Sequence, residues 1–185
     1  MIFIFTGTSG SGRKTVARKV CEQLGIQKIV SYTTREPRLK EVEGKDYYFI
    51  TRAQFIEDDL KGEFFQTAEI DSIFYGTKKV NVQAIEAVGE NAYLIVNRSG
   101  ANRIKFEYKE KAIRLFIYVE KHTVRERLEA RGESFEVIEH YMQHYTEEVT
   151  YRKDCEHVFE NNDLNHTLEL VKKTIEQYLP PQSTV

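Results

Sequence analysis

This chain predicts an α/β domain with a parallel five-stranded core sheet, and three observations point to that fold. Five short apolar runs suit buried strands: Ile2–Phe5, Lys28–Ser31, Tyr93–Val96, Ile113–Val119 and His157–Glu160. Helical patterns alternate with them, at Lys14–Leu24, Thr77–Val88, Ala101–Tyr108, Thr123–Arg131, Phe135–Tyr151 and Leu164–Tyr178. Strands separated by helices pair in parallel through right-handed crossovers. The third observation is a glycine-rich turn placed between the first strand and the first helix.

The first element is Ile2-Phe3-Ile4-Phe5, too short for a signal-peptide core or a membrane span. After it come Gly7, Thr8, Ser9, Gly10, Ser11, Gly12, Arg13, Lys14 and Thr15. The pattern G-x-x-x-x-G-K-[ST] in that setting cradles phosphates with backbone N–H groups, while its lysine reaches β/γ oxygens and its hydroxyl holds magnesium. Gly7 and Gly12 fit the two glycines. Arg13, however, stands at the lysine position and Lys14 at the hydroxyl position, with Thr15 one residue late. Sliding the frame by one residue would put Thr8 and Arg13 where glycines are required, which is worse. The following helix shows an apolar stripe of Val16, Val20, Cys21 and Leu24. The stretch reads as an anion-binding helix N-terminus with altered side chains.

From about Thr33 to Tyr75 the strand–helix rhythm breaks. Tyr47–Ile50 reads as a strand, Arg52–Leu60 as a helix and Phe64–Ile70 as a strand, which together make a small mixed insert. It opens with Ser31-Tyr32-Thr33-Thr34-Arg35-Glu36-Pro37-Arg38, continues with Glu41-Val42-Glu43-Gly44-Lys45-Asp46-Tyr47, and ends near Phe74-Tyr75-Gly76-Thr77. A hydroxyl, two guanidinium forks and two phenols are the equipment for gripping one phosphate monoester.

With these segments the chain resembles the guanylate kinases, including related domains that have lost catalysis. The resemblance runs from the first strand to the last helix and rests most on S-x-T-T-R-x-P-R…G-x-D-Y. It implies a P-loop nucleoside monophosphate kinase fold, with a core of residues 1–32, 76–122 and 152–179. A monophosphate-binding insert would span 33–75, a helical lid 123–151 and a frayed tail 180–185. It further implies that Ser31, Arg35, Arg38, Tyr47 and Tyr75 hold the GMP phosphate and that Thr77 lies at the guanine. Arg131, in Arg127-Leu128-Glu129-Ala130-Arg131-Gly132, would be aimed at the transferring phosphoryl group, and Asn161-Asn162-Asp163 would lie near a nucleotide base. ATP and magnesium are the expected cofactors.

Departures from the family pattern fall on the catalytic side. Besides Arg13 and Lys14, the chain has Ile95 and Asn97 where the family carries aspartates. Gln66 stands where a glutamate accepts two guanine protons, and Tyr141 where a second lid arginine is found. Gln66 can accept only one of those protons, a loss of about 1–3 kcal/mol in base discrimination. A missing transition-state arginine costs on the order of 10³-fold, with Arg125, Arg127 or Arg152 available to substitute. Two outcomes stay open: a kinase that phosphorylates GMP or a related monophosphate, and a module that binds the monophosphate without efficient turnover. The loop cation would be Arg13 or Lys14.

Charge and cysteine content bound the alternatives. The 185 residues carry a net charge of -2, so no global basic field points to nucleic acid or an anionic membrane. Cys21 and Cys155 are too few for a disulfide framework or a structural zinc site, and a reducing cytoplasm is the expected setting. His140 and His144 lie one turn apart without a third ligand, which reads as a solvated helix face. Cys155 reads as a small packed hydrophobe, and Ser183-Thr184-Val185 as part of the tail.

Overall fold

A computed structural model describes residues 1–180; of the expected tail 180–185, residues 181–185, with Ser183-Thr184-Val185, lie outside the described residues. In chain order the elements begin with β1 (Ile2–Gly7), α1 (Arg13–Leu24), β2 (Gln27–Lys28), β3 (Tyr32–Thr33) and β4 (Tyr48–Phe49). Next come α2 (Arg52–Leu60), β5 (Phe64–Ile70), β6 (Ile73–Lys78), α3 (Lys79–Val88) and β7 (Ala92–Ile95). The chain continues through α4 (Arg98–Tyr108), β8 (Ala112–Tyr118), α5 (Lys121–Glu129), α6 (Phe135–Thr150), β9 (His157–Glu160) and α7 (Leu164–Glu176).

The expected five-stranded parallel sheet is present, in the order β2-β7-β1-β8-β9. Strand β1 is central and buried along its whole length, which explains why its residues are apolar without alternation. Its Phe3 and Phe5 face α1 and α7 with Val16, Val20, Val171 and Ile175. Ile2 and Ile4 face the other layer with Val82, Ala101, Ile104 and Tyr151. A separate cluster of Val124, Leu128, Ile138, Met142 and Tyr145 holds α5 against α6.

The second sheet is mixed, with the order β4-β3-β6-β5, and it runs from Tyr32 to Lys78. Two expectations are corrected there. The second core strand does not extend over Lys28–Ser31: its ladder ends at Lys28, and Tyr32–Thr33 join the other sheet. The Ser31 carbonyl accepts from the Tyr48 N–H at 2.9 Å, so the backbone has changed sheets by that point. The second core helix does not begin at Thr77, because Ile73–Lys78 pairs antiparallel with Phe64–Ile70 and only then gives way to α3. The hairpin closes through Asp71 (φ 51) and Ser72 (φ 64), both in the left-handed region that a tight hairpin turn demands.

Helix ends differ from expectation by one to three residues. Helix α4 starts at Arg98 because Asn97 caps it, its side chain accepting from the Gly100 N–H at 3.0 Å. Helix α5 stops at Glu129, which leaves Arg131 in the turn beyond it, and α7 stops at Glu176. No helix among the described residues is long and apolar enough to cross a membrane.

Candidate active site

The loop between β1 and α1 has the backbone of a phosphate cradle. Gly10 (φ 74) and Gly12 (φ 84) are left-handed, and Gly7 (φ 138) runs against β8 so closely that a Cβ would lie 1.8 Å from the Ile117 carbonyl oxygen. Helix α1 has no side-chain cap and no acidic residue in its first turn, so its N-terminal dipole faces the loop uncompensated. Arg127 and Asn161 brace the loop from behind. Arg127 donates to the Ser11 carbonyl at 3.2 Å and the Asn161 carbonyl at 2.7 Å, while Asn161 Nδ2 donates to Ser11 O at 2.7 Å. An anion already rests on the cradle: the Glu148 carboxylate, from α6, accepts from the Ser9 N–H at 2.9 Å and its hydroxyl at 3.1 Å.

The two loop cations point in different directions. The Arg13 guanidinium folds back and donates to the Gly7 carbonyl. Lys14 reaches across the cleft to the insert, where Nζ donates to Glu41 Oε1 at 3.0 Å and lies 4.7 Å from the Tyr47 ring centroid.

On the insert side, Arg35 grips Glu41 with both prongs of its fork, Nη1 to Oε2 at 2.6 Å and Nη2 to Oε1 at 2.7 Å. Its guanidinium lies 5.2 Å from the Tyr47 ring, Tyr75 is a further hydrogen-bond partner, and the two tyrosine rings meet edge-on at 6.0 Å. Burial alone would raise the Glu41 pKa. Hydrogen bonds from Arg35, the Arg38 backbone N–H and Lys14 outweigh it and hold this carboxyl near 2, well below its ordinary 4.5. These donors together hold Glu41 as a carboxylate. Deeper in, Ser31 Oγ lies 3.1 Å from Thr77 Oγ1, which also accepts from Gln66 Nε2 at 3.1 Å. All three residues are buried, at 8%, 0% and 9% exposure, so this chain of polar groups is shielded from solvent.

Comparison with known proteins accords with this arrangement. A family profile described as "Guanylate kinase" matches residues 1–178. The chain belongs to the guanylate kinase family. It is 30% identical over 182 residues to the guanylate kinase of Francisella tularensis subsp. holarctica (strain OSU18), covering 95% of this chain and 96% of that protein. It is 32% identical over 164 residues to that of Fusobacterium nucleatum, covering 88% and 89%. The crystal structure of guanylate kinase from Anaplasma phagocytophilum superposes with a TM-score of 0.76 at 26% identity, covering 100% of this chain and 87% of that one.

Within this guanylate kinase framework, the expected site residues fall into two clusters: Arg35, Tyr47 and Tyr75 gather with Lys14 around Glu41, and Ser31, Thr77 and Gln66 form a buried polar chain. Arg38 is exposed and faces Tyr141 of α6. Burial raises the Tyr141 phenol pKa, and the nearby Arg38 charge opposes that rise. Arg131 is exposed beyond α5. Burial first and the charge of Arg131 second lower the Arg127 pKa. Asn97 is engaged as the α4 cap.

At the positions where the resemblance implies protein ligands for magnesium, this chain offers none, which leaves the nucleotide phosphates and water as the groups that would hold the ion. Lys14 puts an ammonium at the hydroxyl position, Ile95 offers hydrocarbon, and Asn97 Oδ1 is engaged with Gly100. Among the described residues no group of three or more His, Cys, Asp or Glu side chains is arranged to hold a metal. His140 instead pairs with Asp71 of the hairpin at 3.2 Å, tying α6 to the insert. Burial pushes the Cys155 thiol up to about 12, which suits a packed residue and not a nucleophile.

Sequence reasoning missed three site residues. Glu41 fills the Arg35 fork, Glu148 rests on the loop, and Lys28 lies 5.8 Å from the Tyr47 ring. Burial first, partly offset by Asp46, lowers the Lys28 pKa to about 8. Only Glu41 left a trace in the sequence, as the acid within the same specific segment as Arg35 and Arg38.

Proposed function

We propose that this chain transfers the γ-phosphoryl group of ATP to a nucleoside monophosphate, GMP being the family's acceptor. The observation that carries this reading is the bidentate Arg35–Glu41 pair between Tyr47 and Tyr75, facing the phosphate loop across one cleft. A carboxylate held there by two guanidinium N–H groups occupies the kind of site a phosphate monoester fills.

The chemistry asks little of the protein beyond placement and charge. The attacking group is a phosphate oxygen of the monophosphate, largely deprotonated at neutral pH since its second pKa is about 6, so no general base is required. Arg35, Tyr47, Tyr75 and Ser31 fix that phosphate, joined by Arg38 once it leaves its exposed position beside Tyr141. Gln66 and Thr77 read the base. The loop amides from Gly7 to Thr15 hold the donor phosphates once Glu148 withdraws from Ser9. Arg13 and Arg131 supply positive charge where it develops on the transferring group, and both must leave their present positions to do so. In this reading residues 33–75 act as the monophosphate-binding insert and 123–151 as the lid over a core of 1–32, 76–122 and 152–179.

A second reading, a binding module without efficient turnover, is favoured by one observation: the Arg13 guanidinium is spent on the loop's own Gly7 carbonyl. A coupled assay of ADP release against GMP, IMP and AMP separates the two. The kinase reading expects GMP-dependent ADP release that collapses in Arg35→Ala. GMP binding with no ATP consumption would establish the module instead, and turnover that ignores GMP would reassign the acceptor.

A further inference from the structure

We infer that Lys14, although it stands in the phosphate loop, serves the acceptor: its ammonium is the loop's direct contact to the phosphate of the bound monophosphate. This rests on the reading that the Arg35 pocket takes a nucleoside monophosphate.

Lys14 Nζ and Arg35 Nη2 converge on the same atom, Glu41 Oε1, at 3.0 and 2.7 Å. Both cations also lie over the Tyr47 ring, with Nζ 4.7 Å and the guanidinium carbon 5.2 Å from its centroid. Three groups drawn from two separate elements, α1 and the segment after β3, therefore define one anion position. Glu41 brings a single negative charge to it. A phosphate monoester brings about -1.5 to -2 and three acceptor oxygens, so it outcompetes a carboxylate for a cluster of this kind. Arg13 does not share this anion position, because its fork is turned to the Gly7 carbonyl. The lysine is long enough to cross the cleft where a hydroxyl at the same position is not. The substitution that removes a metal ligand thus adds a phosphate ligand, and the loop and the insert are drawn together by the acceptor itself.

A plainer role is available and is testable against this one. The Lys14–Glu41 pair, with the lysine side chain 44% exposed, could act only as a surface tether that positions the insert. Direct contact and tethering differ in whether Lys14 still matters once Glu41 is neutralised.

The experiment measures GMP and guanosine affinities by calorimetry, without donor or metal, for the full chain. The variants are Lys14→Met, Glu41→Gln, the double variant and Arg35→Ala, each checked by its thermal unfolding midpoint. Direct contact predicts that Lys14→Met weakens GMP binding about tenfold. It also predicts unchanged guanosine binding and the same loss of GMP affinity when Lys14→Met is made in the Glu41→Gln background. If the Lys14→Met effect vanishes in that background, the lysine acts through Glu41 and the inference is overturned. If Arg35→Ala abolishes GMP binding while Lys14→Met leaves it unaltered, the inference fails and the monophosphate pocket survives. Failure of Arg35→Ala to weaken GMP would overturn the pocket and the inference together.

Discussion

The insert pocket and the phosphate loop face each other across one cleft, yet they have kept different things. In the insert most of the gripping side chains are in place: Arg35 closes its fork on a carboxylate, Tyr47 and Tyr75 flank it, and Ser31, Thr77 and Gln66 form a buried polar chain, while Arg38 stands exposed outside it. In the loop the backbone is complete and the side chains are not. Gly7, Gly10 and Gly12 take conformations closed to most residues, while Arg13 turns inward and Lys14 turns across. A phosphate cradle made of amides depends on which residues lack a Cβ, so it survives exchange of the cations around it. A pocket that grips with guanidinium and phenol groups has no such tolerance.

That contrast can be broken from either side. The largest effect is expected from Arg35→Ala, which leaves Glu41 and the incoming phosphate without their fork; GMP affinity should fall by about 1000-fold in a direct binding titration. Next is Gly7→Ala. Its Cβ would collide with the Ile117 carbonyl at 1.8 Å, and the chain should lose about 3 kcal/mol or more in denaturant unfolding. Retained stability there would mean the loop's backbone is less constrained than its side chains. A smaller effect is expected for Gln66→Glu, which supplies a second acceptor to guanine. The preference for GMP over AMP should rise about tenfold, equivalent to about 1.4 kcal/mol. Equal affinities before and after would place Gln66 away from the base.

The smallest effect is a pH dependence remote from the cleft. Burial would raise the Glu156 carboxyl, but Arg114, its backbone N–H and Lys105 together hold it near 2, below its ordinary 4.5. A carboxyl depressed on folding adds stability above pH 4.5, and that stability drains away as pH falls towards 2. Wild-type unfolding midpoints should therefore drop more steeply across that window than those of Glu156→Gln. Parallel curves would dismiss the link.

What could be read beforehand follows the range of the interactions involved. Strand β1 and helix α1 were legible because their residues carry the pattern themselves, apolar throughout in one and striped in the other. Strand β3 is two residues long and exists only because β4 and β6, distant in sequence, lie on either side of it. The Asp71–Ser72 turn lacks the glycine or asparagine that announces such a hairpin, so β6 carries no strand signal and its last two residues, Thr77 and Lys78, fall within the helical pattern that follows. Arg35, Arg38, Tyr47 and Tyr75 could be picked out as candidates from their segment alone. The hold of Glu41 on Lys14 could not, since it joins two elements through space.

Gly100 carries a consequence for how this cleft could change its chemistry. A Cβ at that position would lie 2.8 Å from Gln66 Oε1 and 3.0 Å from Val96 Cβ, so the opening turn of α4 is fitted against the Gln66 amide, the group proposed above to read the base. Bulk added at residue 100 would press on that amide. A lineage could in this way retune its preferred nucleobase while leaving every ligand-touching side chain as it is.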